Sequence, residues 1–256
     1  MQYPISWGIE FPNNISILGG LSHSLVGALD AFLMTEEDDD FPNYYTFGSA
    51  HIEAAKDLEA ARKIAGSICC LFNGAFQIEF GEEYSPPKFG RMYGSAHRSV
   101  EIIHPDALLY PPFASDIIQS APTTREEHAL NSSFIARALF SARTSARVYG
   151  ILSFIGANGI TWVSLYGVHE FIRSAKDDGW DVARVQEEAN WTNTQYKSFT
   201  GTANSSHYLG PFARHGHLAG EPIKRPMKRS EAVKGILTAS KAYIEERYKG
   251  SIKRTE

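Results

Sequence analysis

The chain has 256 residues, 43% of them apolar and 21% charged, with a formal net charge of −4. Such a length and composition supply a full apolar core, which excludes a disordered chain and a miniprotein stapled by disulfides. The two cysteines, Cys69 and Cys70, are adjacent and cannot bridge each other without strain. Set in the apolar run SICCLF, they read as buried thiols of a cytoplasmic protein.

The opening MQYPISWGIEFPNN has no basic residue and no apolar run, so no secretory leader is expected. The segment SILGGLSHSLVGALDAFLM contains His23 and Asp30 and leads into the acid run Glu36 to Asp40, so no membrane span is expected there. IEFPNNISIL and YYTFGSAHI read as strands, from their aromatic and β-branched residues and flanking breakers. Glu53 to Phe76 reads as a helix, with Leu58, Ala61, Ile64, Ala65, Ile68, Leu71 and Phe72 at helical spacing. RMYGSAHRSVEIIH, Arg91 to His104, reads as one or two strands, and no strand pattern follows it.

After Pro122 the pattern is helical. Thr124, with Glu126 and Glu127 behind it, starts a helix expected to run to about Ile155. Thr161 to Ser174 and Asp181 to Ala189 follow. Thr192 to His215 is a fourth helix, expected to break at Gly201 and at Gly210-Pro211. Ser230 caps a last helix to about Tyr248. The fold class is therefore α+β: a mixed α/β part over residues 1–122, then an all-helical part over residues 123–256.

Charge is unevenly spread. From Trp191 onward, 12 Lys and Arg face 5 Glu, a net of +7, and the remainder carries −11. A basic C-terminal quarter suits phosphate or RNA, and equally suits a solvated face or one packed on the acidic half.

The helical part carries Trp162-Val163, Leu165-Tyr166, Glu170, Thr202-Ala203-Asn204-Ser205, Ala213-Arg214-His215-Gly216, Pro226-Met227 and Glu231-Ala232. On these residues it resembles a bacterial protein family with the signature TANS…ARHG…PM…EA. A more remote likeness is to HEPN domains, helical bundles that include many RNases of toxin and phage-defence systems. Their mark is an Arg followed after four to six residues by a His, often in a His-Gly step before the last long helix. His215-Gly216 stands at that place, but Arg214 is adjacent to the His. Arg91 to His97 and Arg98 to His104 keep the spacing but fall in predicted strands.

The likeness implies an RNA or nucleotide ligand, metal-independent cleavage of RNA, and a homodimer, with no cofactor and no membrane. The site residues would be His215, Arg214, Asn204 and Glu170. His215, titrating near neutrality, would take the proton of a 2′-hydroxyl. Arg214 would stabilise charge on the phosphoryl oxygens. Asn204 would orient the phosphate or the imidazole, and Glu170 would fix a His tautomer. Each has an ordinary structural use as well. His215-Gly216 can end a helix, Asn204 can cap one, and Glu170 with Arg214 can be a packing ion pair. The competing expectation is a non-catalytic binding or sensing module that dimerises and recruits a protein partner or small ligand.

Other chemistry is poorly supported. His207, His215 and His217 lack the regular spacing of a zinc site. The acid run lacks the glycine and spaced ligands of a calcium loop. GILSFIGANG lacks the Lys-Ser or Lys-Thr pair of a phosphate loop.

Overall fold

The computed structural model describes residues 7–11, 31–36, 44–84, 86, 91–94, 99–101, 113, 124–214 and 223–252. Most of them are helical, and a small antiparallel sheet stands at one side. The sheet order is β2-β3-β1-β4-β5, with β1 Trp7–Phe11, β2 Ala31–Glu36, β3 Tyr44–Ser49, β4 Arg91–Gly94 and β5 Ser99–Glu101. Ile9 of β1 sits opposite Phe47 on one side and Met92 on the other. Ile9 and Met92 are fully buried and belong to the apolar cluster that the helices form. A short helix α1, Ala50–Glu53, follows β3, and its Glu53 accepts a hydrogen bond from Trp7 N at 2.9 Å.

Residues Arg91 to His104 were expected to hold one or two strands, and they hold β4 and β5. β2 was not expected: AFLMTE sits inside a run whose apolar residues do not alternate. Its six-residue pairing with β3 supplies what the local pattern lacks.

The helix α2, Leu58–Phe80, starts at Asp57, whose side chain accepts from Ala60 N. It is long and apolar enough to cross a membrane, yet 78% of its most apolar stretch is buried inside the protein. Its partner is α5, Ala146–Asn158. A Cβ on Gly74 would lie 2.0 Å from the Leu152 carbonyl oxygen, and one on Gly156 would lie 1.8 Å from that of Cys70. Two glycines thus let the two backbones touch. Cys69 and Cys70 are buried along this helix as free thiols.

The single helix expected from Thr124 to Ile155 is three: α3 Thr124–Ser132, α4 Phe134–Thr144 and α5. Ser133 and Ser145 break it. Their hydroxyls accept from Ala136 N and Val148 N, so each becomes an N-cap rather than a helical residue. Beyond α5 come α6 Trp162–Arg173, α7 Val182–Glu188, α8 Asn193–Asn204, the one-turn α9 Ser206–Leu209 and the long α10 Arg229–Ile252. The expected break at Gly201 does not occur. Gly201 lies inside α8 with the Ile223 side chain against it, and the helix instead ends at Asn204. The break at Gly210-Pro211 does occur, with Gly210 at φ +58°.

The helix α10 packs on α4, α6 and α2. Arg137 of α4 grips Glu245 through Nε and Nη2 at 2.7–3.0 Å. Asp178 accepts from Tyr243 Oη at 3.2 Å and pairs with Arg147 and Arg247. Trp180 Nε1 donates to Glu246 at 3.1 Å. These ties hold the turn between α6 and α7 against the last helix.

Candidate functional site around helix α6

Two caps fix the helices that carry the site. Thr161 and Ser164 form a reciprocal capping box at the start of α6, and Thr192 with Gln195 forms one at the start of α8. Leu165, Val168 and Ile172 then point into the core. The opposite face of α6 presents Val163, Tyr166, Gly167, Glu170, Phe171 and Ser174 to an open groove of about 520 Å³, completed by Phe154 and Arg214.

Glu170 and Arg214 are therefore brought together at one groove. Arg214 leaves the end of the α8–α9 segment with its backbone N–H donating to Ala203 O at 2.9 Å. Its guanidinium lies over the Tyr166 ring, 4.5 Å from the centroid, and Nη1 donates to Tyr166 Oη at 3.2 Å. Glu170 takes two hydrogen bonds from Arg173, at 2.9 and 2.6 Å. Burial pushes the Glu170 carboxyl up, but Arg173's hydrogen bonds and charge, helped by Tyr166, hold it below its ordinary value. Asn204 closes α8, one residue from the carbonyl that anchors Arg214. Among the described residues no donor reaches its shielded Oδ1. His215 lies outside the described residues, as do Gly216 and His217.

The histidine that does appear at this site was not singled out from the sequence. His169 is 1% exposed, and its ring is enclosed by Tyr166, Tyr196 and Phe199. Its Nε2 is 2.8 Å from Tyr196 Oη, and its Nδ1 is 3.6 Å from Glu170 Oε1. The carboxylate favours a proton on Nδ1, which leaves Nε2 to accept from Tyr196. Burial lowers the His169 pKa to about 4, against the pull of Glu170 and with the push of Arg173 and Arg214. At neutral pH it is an uncharged spacer. It holds Tyr196 and backs Tyr166 and Glu170, and it does not line the groove. Tyr166, His169, Glu170 and Arg173 recur at i, i+3, i+4 and i+7, so a polar stripe on an otherwise apolar helix was the signal for them.

No family model, curated protein or solved structure matches the chain. The site is thus read from its own geometry. An apolar slot carries a guanidinium stacked on an aromatic ring at one edge, and a carboxylate already bound to a second guanidinium. That arrangement can hold a flat ring and an anion together. Among the described site residues it offers no proton acceptor ready for catalysis, because Glu170 is held by Arg173 and His169 is buried.

Proposed function

We propose that the chain is a cytosolic HEPN-like protein that binds RNA or a nucleotide, with the groove beside α6 as its ligand site. The observation that carries this reading is the Arg214 guanidinium laid on the Tyr166 ring at the groove's edge. The guanidinium covers that face of Tyr166 and is held by it, so Arg214 is placed to meet a phosphate while Phe154 and Phe171 of the same groove are the rings left to meet a base. The basic balance of the chain from Trp191 onward supports it. The HEPN likeness adds a homodimer and a toxin or phage-defence setting.

Binding is tested by fluorescence anisotropy of a labelled single-stranded RNA across a salt series. A phosphate-driven site loses affinity steeply as salt rises, and Arg214→Ala weakens binding at every salt concentration in a protein that is still folded by its urea transition. Affinity equal in wild type and Arg214→Ala would remove Arg214 from the site. Cleavage would rest on His215 and is read separately, with end-labelled RNA in EDTA and a His215→Ala variant.

A second reading, a non-catalytic module sensing a small ligand and recruiting a protein partner, has one observation in its favour. Both acid–base groups of the described site are already engaged, Glu170 by Arg173 and His169 by Tyr196. No RNA affinity at moderate salt in the folded wild type selects it.

A further inference from the structure

The groove has an apolar floor with an unusual construction. Phe154 of α5 lies over Gly167 of α6, and Phe171 of α6 lies over Gly150 of α5. A Cβ at Gly167 would fall 2.3 Å from Phe154 Cε1, and one at Gly150 would fall 2.9 Å from Phe171 Cε1. Each ring therefore sits down on the other helix's backbone, in space that any side chain would fill. The two rings meet edge to face, with centroids 6.2 Å apart and planes at 62°. Recessed in this way they deepen the slot instead of filling it. Val163, 42% exposed, forms one wall.

Charge is arranged at the rim. The groove is lined by one cation, Arg214, and one carboxylate, Glu170, which Arg173 already holds by two hydrogen bonds. Arg214 is thus a lining group that suits an anion, while the floor of Phe154 and Phe171 suits an uncharged ring. The groove, about 520 Å³, is open to solvent and takes a ring laid on its floor.

Resting on the reading of an RNA or nucleotide ligand, we propose that this slot takes one unstacked base, set against Phe154 and Phe171, with its phosphate at Arg214. The ligand is then a mononucleotide or an unpaired nucleotide of a single strand. A duplex is excluded, because its bases are stacked on one another and cannot enter a slot. Gly167 and Gly150 decide the depth of the slot, and Val163 decides its width.

The test uses the full chain with four probes: AMP, GMP, a 10-nucleotide single-stranded RNA, and the same RNA annealed to its complement. The variants are Val163→Trp, which fills the slot from its exposed wall, and Arg214→Ala. Urea midpoints confirm that both are folded. The expected result is binding of the mononucleotides and the single strand, little binding of the duplex, and a loss of about tenfold or more for the single strand in Val163→Trp. Equal binding of duplex and single strand, unchanged in Val163→Trp, would overturn the base slot and leave the RNA-binding reading standing. No binding of any probe at low salt would overturn both.

Discussion

His169 ties stability to pH in a way that can be measured. In the unfolded chain an imidazole titrates near its ordinary value of 6.5, and in the folded protein its pKa is about 4. The unfolded state therefore binds a proton across that window and the folded state does not, so stability falls as pH falls. The contribution is fully present above pH 6.5 and is lost as pH drops towards 4. At about 1.36 kcal/mol per unit, the whole window is worth roughly 3 kcal/mol. The groups facing the ring, Tyr166, Tyr196, Glu170, Arg173 and Arg214, stay in place in a His169→Gln variant, which removes the titrating ring alone. Glu170, itself held low, also loses stability on acidification, but it does so in both proteins. Urea unfolding at pH 7.5 and pH 4.5 isolates the difference. Wild type should lose roughly 2–3 kcal/mol more than His169→Gln between the two conditions. Parallel losses would refute the argument, because they would mean that the folded ring accepts a proton as readily as the unfolded one.

The contact between α2 and α5 and the buried thiols give further tests. Gly156→Ala gains about 1 kcal/mol of helix propensity but drives its Cβ into the Cys70 carbonyl, so a net loss of about 2 kcal/mol and a midpoint lower by about 4–8 °C are expected. Gly250→Ala, with no atom of the described residues within 4 Å of the added Cβ, is the control and should be as stable as wild type or slightly more so; calorimetry of both decides. Burial pushes the Cys70 thiol up to about 11 and the Cys69 thiol up as well. Iodoacetamide at pH 8 should therefore leave both unmodified in the native protein and alkylate both in urea, as counted by mass spectrometry.

Much of the helical architecture was legible in the sequence. Thr161, Asp181 and Thr192 mark helix starts that hold to the residue, because a side-chain acceptor before an apolar stripe is a local signal. Ser133 and Ser145 carry the same chemistry but sit inside a continuous apolar pattern, which hid two helix boundaries. β2 was hidden for the opposite reason, since its identity lies in its partner strand. At the candidate site, Glu170 and Arg214, both singled out from the sequence, line one groove. Their partners were not, because the Tyr166 to Arg173 stripe becomes meaningful only when α8 brings Tyr196 and Phe199 against it.

The burial of α2 has a consequence for how the protein is made. The 23 residues of this helix emerge from the ribosome well before α5, whose last residue, Asn158, comes 78 residues after Phe80. At about 5–20 residues per second, the most apolar segment waits roughly 4–16 s for the surface that shields it. During that interval it offers a nascent-chain chaperone, or another copy of itself, the same face that α5 later covers. Slower growth temperatures and co-expressed chaperones should raise soluble yield, and truncations ending before Ala146 should precipitate.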